Sequence, residues 1–315
     1  MKRIDALLLV TLAAIWGGSF MFMRVLAPRL GPFGTASARL LIAGAALVLY
    51  FTATGFRLRW RERWRRYLAI GALNSAIPFA LYSYAALYLP SSVEVVVNAL
   101  APAFGALFGA IWLGERLGAR KALGMALGIA GVVLVSGLWN GSLPAGSAPA
   151  LAACVLAPAF YGLAGVFIKK RGGGIEPRAL AAGSQLLAGL ALLPGLALAP
   201  PPGPVDAGIA LLTVLFALLC SAVAYLIYYR LIDSAGPTKA LTVTFLMPAF
   251  GFVWGSVFLG EEITATMAFG AIAIIAGTAL VAVGPSRPAT APMPRGAGRS
   301  ADPSAEPGAP LPPRS

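Results

Sequence analysis

Residues 102–135 read PAFGALFGAIWLGERLGARKALGMALGIAGVVLV, and residues 248–281 read PAFGFVWGSVFLGEEITATMAFGAIAIIAGTALV. The two stretches lie 146 positions apart and share 16 identities in 34 positions without a gap, so the chain is an internal repeat. The anchors are Pro102-Ala-Phe-Gly105 against Pro248-Ala-Phe-Gly251, Leu113-Gly-Glu115 against Leu259-Gly-Glu261, and Gly124 and Gly131 against Gly270 and Gly277. The same offset carries Tyr82 onto Tyr228 and Asn98 onto Thr244, which extends the repeat well beyond one helix. Duplicated apolar halves commonly enclose one site at their interface.

Working outward, the composition names the solvent. The 315 residues are 59% hydrophobic and 11% charged, with mean hydropathy +0.83 and no histidine. A soluble domain carries more polar surface. Crossing about 30 Å of hydrocarbon takes roughly 20 apolar residues, and ten such runs occur, near 6–24, 33–54, 67–88, 92–114, 119–138, 148–168, 179–199, 206–229, 239–260 and 264–284. Short connections and the absence of water in a bilayer leave helices as the only backbone solution. The expected fold is therefore an all-α integral membrane protein of ten transmembrane helices.

Basic residues orient it. With the N-terminus in the cytoplasm, 21 of the 24 Lys and Arg fall on cytoplasmic connections or termini, which by the positive-inside rule sets both termini there. Five spans per half is odd, so the second copy starts on the opposite face and the repeats are inverted. The connections agree, since Arg116, Arg120 and Lys121 follow the first Leu-Gly-Glu while Glu262 and no base follow the second. The domains expected are a first repeat over 1–138, an outer linker over 139–147, a second repeat over 148–284, and a Pro-rich disordered cytoplasmic tail over 285–315 that cannot bury enough surface to order. The cytoplasmic (inner) cell membrane is the expected location.

The net charge of +13 raises nucleic acid as a partner, but its distribution argues against one. The stretch Arg57-Leu-Arg-Trp-Arg-Glu-Arg-Trp-Arg-Arg66 reads as a cytoplasmic loop whose arginines meet anionic lipid headgroups and whose Trp60 and Trp64 sit in the interfacial belt. Cys154 and Cys220 without histidine make no metal site, no phosphate-binding glycine loop is present, and no cofactor is expected. An intramembrane enzyme would need a nucleophile with its base or a metal cluster, and neither is visible. A homodimer through the glycine-rich fifth and tenth spans remains open.

The site reading starts from the repeated proline. Pro102 and Pro248 fall inside their spans, and a mid-helix proline has no N–H to offer the carbonyl four residues back. Those carbonyls belong to Asn98 and Thr244, so each copy presents a released acceptor and a polar side chain at matching depth. Kinked helices with both side chains satisfied by neighbours are the bland alternative. Trp16, Tyr82, Tyr161 and Tyr228 supply rings with polar tips, and Asn74 lies one helical face from Tyr82. Such a cavity suits amphipathic or aromatic metabolites and not a polyanion.

Charges within spans are costly, roughly 2.5–3.5 kcal/mol at the bilayer centre. Glu94 and Arg39 are the two well inside, both toward the outer side and able to pair. Glu94 is either the carboxylate that would carry a coupling proton or an outer-rim structural residue. Glu115 and Glu261 close the two copies of one motif at opposite faces, where each can bond a neighbouring helix start in a structural or gating role.

Ala14-Ile-Trp-Gly-Gly-Ser-Phe20, Ala38-Arg39-Leu, Asn98-Ala-Leu-Ala-Pro102 through Leu113-Gly-Glu115, and the Gly124 to Gly131 span together resemble one unit of the EamA type of the drug/metabolite transporter superfamily. A second unit over about 148–284 carries Met247-Pro248 and Leu259-Gly-Glu261. The resemblance implies a ten-helix carrier with a cavity lined by spans one, three, four, six, eight and nine, working by alternating access and often exporting amino acids or other metabolites. On that lining Trp16, Tyr82, Asn98, Tyr161, Tyr228 and Thr244 are admissible; the hinge role of Pro102 and Pro248 rests on the proline chemistry above. It also implies that Arg39 is peripheral, and the second copy has Gln185 in its place. A membrane receptor or scaffold that transports nothing is the alternative.

Overall fold

The computed structural model describes residues 2–141, 146–171 and 173–282, and among them every regular element is helical. The Pro-rich segment 285–315 lies outside the described residues. Helix α1, Arg3–Ala53, holds the first two expected spans in 51 residues, with a break at Gly31 (φ 70°, ψ 169°) flanked by Pro28 and Pro32. Glycine takes that φ at no steric cost, and Pro32 has no N–H with which to continue the ladder. The third span is α2 (Trp60–Gly71) and α3 (Ile77–Ala85), joined by a π turn over Ala72–Ala76. The fourth is split into α4 (Ser91–Asn98) and α5 (Ala101–Leu113), and the fifth is α6 (Ala119–Val135).

The second copy follows the same plan. Helices α7 (Ala148–Arg171) and α8 (Pro177–Leu198) precede α9 (Ala207–Ala217) and α10 (Ala224–Ala235), which are joined by a π turn over Leu218–Val223. A short α11 (Pro237–Ala240) leads into α12 (Val243–Leu259), and α13 (Ala265–Ala282) ends the described chain. Among the described residues seven helical segments are long and apolar enough to cross a membrane, α1 being one of them. The repeat thus extends to backbone irregularities that composition does not reveal. The π turns start 146 residues apart, and α5 and α12 end on left-handed Gly114 (φ 68°) and Gly260 (φ 65°).

The glycines of the fifth and tenth spans meet each other. A Cβ at Gly124 or Gly277 would overlap the other's carbonyl oxygen, and Gly131 and Gly270 oppose each other in the same way. Since 124 pairs with 277 and 131 with 270, equivalent helices α6 and α13 run antiparallel around a local dyad. That packing joins the two glycine faces inside one chain.

Two expectations change. The basic stretch is helical from Trp60, where Trp60 packs edge-on against Tyr67, so the span begins earlier than residue 67. Arg39 and Glu94 do not pair with each other. Arg39 bonds Ser221 and the Cys220 carbonyl, whereas neither oxygen of Glu94 has a hydrogen-bond partner among the described residues.

Candidate functional site

Breaks in three spans aim polar groups at one space. A π turn or a helix break frees backbone groups and turns side chains off the regular helical rows, and such defects recur at functional sites. The first-copy π turn carries Asn74, the α4–α5 break follows Asn98, and α12 opens with Thr244 two residues in. Between them lies a cavity of about 500 Å³ bordered by Trp16, Asn74, Tyr82, Asn98, Tyr161, Tyr228 and Thr244, the seven residues the sequence offers for a cavity; Glu94, Pro248 and Glu261 do not border it. Phe20, Phe79, Tyr225 and Arg39 border it as well.

The aromatic groups form two banks. Phe20 meets Tyr82 edge-on at 5.1 Å, and Tyr82 leans toward Tyr161 at 6.4 Å. Trp16 contacts Tyr228 at 5.3 Å and Tyr225 at 5.9 Å. The Tyr82 hydroxyl donates to Asn98 Oδ1 at 3.0 Å, which turns the amide donors of Asn98 toward other partners. Thr244 Oγ1 donates to the Leu241 carbonyl at 2.9 Å and keeps its lone pairs for an incoming donor.

The two prolines differ in position. Pro102 sits in the first turn of α5, just past the break, and Pro248 lies inside an uninterrupted α12. Pro102 borders the cavity while Pro248 is buried beside it. The carbonyl of Ala99 at the break is taken by Thr278 Oγ1 of α13 at 2.7 Å, the internal satisfaction a non-aqueous surround demands.

The ends of the cavity are unlike. At one end Glu261 accepts from the backbone N–H of Ser91 (2.7 Å) and Ser92 (3.0 Å), capping the start of α4. Glu94 lies one turn further along α4, fully buried. At the other end Glu115 and Lys169 both border the cavity and pair at 3.0 Å, with Lys121 at 3.9 Å from the same carboxylate. Gly105, Gly109 and Leu241 also border this end.

The difference is sharpest at equivalent positions. A Cβ at Gly251 would overlap Val95, so α4 and α12 touch; at Gly105, the match of Gly251, the nearest neighbour is Gly162 at 3.9 Å. Leu241, the match of Val95, is therefore withdrawn from Gly105. One pair of equivalent contacts is closed and the other open in the same molecule.

Sequence reading missed three features: the π turns, the Glu115–Lys169 pair, and the position of Arg39 on the cavity wall. The first has no compositional signal. The second follows from Lys169 ending α7 in its last turn, facing the repeated Glu.

The sequence profile of the EamA-like transporter family matches residues 3–137 and 148–283, once for each copy. An uncharacterized transporter of Bacillus subtilis (strain 168), YvbV, is 27% identical over 289 residues, covering 89% of this chain and 92% of the relative. A solved crystal structure superposes with TM-score 0.63 at 18% identity, over 89% of this chain and 96% of the other, which is a likeness of fold. With two matched repeats, apolar helices throughout and a cavity between the copies, the chain is a multi-pass membrane transporter and belongs to the EamA-like transporter family.

Proposed function

We propose that the chain is a secondary transporter that exports small organic metabolites, amino-acid-like or amphipathic and aromatic, across the cytoplasmic membrane by alternating access. The ten spans form two inverted five-helix repeats with both termini in the cytoplasm. The observation that carries this reading is the asymmetry of equivalent contacts: Gly251 against Val95 is closed while Gly105 against Leu241 is open. A carrier whose repeats exchange conformations would present the mirror arrangement in its other state.

On the positive-inside assignment the open end, with Glu115, Lys169 and Lys121, faces the cytoplasm, so the structure corresponds to an inward-open state. Glu261 then latches the outer end, and Glu115 is its counterpart at the inner end. Trp16, Asn74, Tyr82, Asn98, Tyr161, Tyr228 and Thr244 hold the substrate by ring contact and a few hydrogen bonds. Pro102 and Pro248 are the hinges, since neither has an N–H for the carbonyl four residues back and Pro102 also follows the α4–α5 break. Glu94 is the coupling carboxylate, facing Arg24 on α1, Tyr82 on α3, Cys154 on α7 and Glu261 beyond α12.

The test is flux from sealed liposomes containing the purified protein and loaded with labelled amino acids and small amphipathic metabolites, with and without a pH gradient. Selective, saturable efflux supports the carrier. A flux identical to protein-free liposomes for every compound would contradict it and favour the scaffold reading.

A further inference from the structure

Arg39 is 3% exposed and borders the cavity, yet no carboxylate lies within ion-pair distance of it among the described residues. Its guanidinium is held in place instead. Nε donates to Ser221 Oγ at 2.8 Å and Nη2 donates to the Cys220 carbonyl at 3.2 Å, both in the second π turn. Phe79 and Phe216 cover it at 3.9 and 4.5 Å from their ring centroids. Rings and neutral oxygens orient a cation, but they do not cancel its charge, and burying an uncompensated charge is costly.

The repeat shows that the charge is not a structural requirement of this joint. The positions equivalent to Arg39 and Ser221 are Gln185 and Ser75. Gln185 is 1% exposed and its amide has no hydrogen-bond partner among the described residues, while Ser75 faces the Tyr225 hydroxyl, so the second joint closes without a cation. One copy has the charge, the other does not, and the charged one stands at the wall shared with Tyr161 and Tyr225.

We infer that Arg39 is the recognition group for a carboxylate on the transported molecule, so that the substrates are small organic acids or amino acids whose apolar part lies against the aromatic banks. This rests on the transport reading and names the substrate class of that same site. A guanidinium pinned along one edge, with its faces covered, presents its remaining N–H groups in a fixed plane, the geometry that suits a carboxylate. The hydroxyl of Tyr161, on the same wall, is a further donor. The acid on the cavity wall, Glu115, is committed to Lys169 at the mouth.

The experiment compares matched pairs that differ only in that charge: N-acetylphenylalanine and N-acetylleucine against their carboxamides, in liposomes containing the full chain. The expected result is saturable flux of the acids at least ten times that of the amides. Arg39→Gln should bring the acids down to the amide rate, Arg39→Lys should keep the preference with a raised KM, and Ser221→Ala should blunt it by freeing the guanidinium. Should Arg39→Gln fail to fold, the wild-type preference and Arg39→Lys still decide, together with the rise in melting temperature that the acids, and not the amides, give the detergent-solubilised wild type. Equal flux of acid and amide, or a preference that survives in Arg39→Gln, overturns the carboxylate assignment and leaves the transporter standing. No saturable flux of any of the four overturns the carboxylate assignment, and the transport reading is then decided by the labelled amino acids and metabolites in the same liposomes.

Discussion

The Glu261 carboxylate takes the backbone N–H of Ser91 at 2.7 Å, tying the end of α12 in the second copy to the start of α4 in the first. Ser92 gives the same group a second bond at 3.0 Å. Its counterpart Glu115 pairs with Lys169 at 3.0 Å instead. Each carboxylate folds back over a glycine six residues earlier, Gly255 or Gly109, where any side chain would crowd it. Hydrogen bonds to a charged group contribute about 1.5–3 kcal/mol each. Glu261→Ala should therefore release the outer latch and raise labelling of Asn98→Cys by an impermeant thiol reagent from outside about tenfold or more. Unchanged labelling would remove Glu261 from the gate.

Gly251→Ala and Gly105→Ala should act in opposite directions. An added Cβ at Gly251 meets Val95 at once and pushes α4 from α12, disfavouring the outer-closed state. At Gly105 the nearest atom is 3.9 Å away, so the present state accommodates the methyl, while closure onto Leu241 would not. Outside labelling at position 98 should rise in the first variant and fall in the second. The same direction in both would count against exchange between equivalent contacts.

Restoring the helices should slow movement more than it weakens binding. Alanine at position 102 can supply an N–H to the Asn98 carbonyl and heal the α4–α5 break. Pro102→Ala, and less strongly Pro248→Ala within continuous α12, should lower turnover several-fold while substrate affinity stays within about twofold. Wild-type turnover in both variants would discard the hinges.

Tyr82→Phe deletes the hydroxyl that orients Asn98, and losing one such bond costs about 0.5–1.5 kcal/mol. An affinity loss of about three- to tenfold is expected, larger when Asn98 and Thr244 are both truncated. Wild-type affinity in the double variant, measured by equilibrium binding, would exclude both residues from the site.

Glu94→Gln keeps shape and removes the titrating group. Helix α13 has no titratable side chain and those of α6, Arg120 and Lys121, stand at its start, with Lys121 beside Glu115, so Arg24, Tyr82, Cys154 and Glu261 are its electrostatic surroundings. If Glu94 carries the coupling ion, the variant should exchange substrate across the membrane at the wild-type rate yet lose gradient-driven accumulation. Accumulation equal to wild type would return Glu94 to a structural role.

The repeat, the apolar spans and the aromatic residues bordering the cavity were legible because periodic hydrophobicity and duplicated motifs are local in sequence. Arg39 was misjudged for a different reason. Its surroundings, Ser221 and Phe216, lie more than 170 positions away, and only folding shows that they turn its charge to the wall and not toward Glu94. The glycine face of α6 was similarly ambiguous, since small residues fit a second chain or the other half of the same chain equally well. The closed and open ends were invisible because the repeat is nearly symmetric in sequence, and one conformation breaks that symmetry in space.

The most direct test of alternating access pairs Val95→Cys with Gly251→Cys, and Leu241→Cys with Gly105→Cys, in a chain lacking Cys154 and Cys220. Replacing Val95 also removes the branched methyl that would crowd a side chain at 251. Each pair alone should form its disulfide and halt transport, and the protein carrying all four cysteines should form one bond or the other, with substrate shifting the ratio. Molecules in which both disulfides form together would contradict the account.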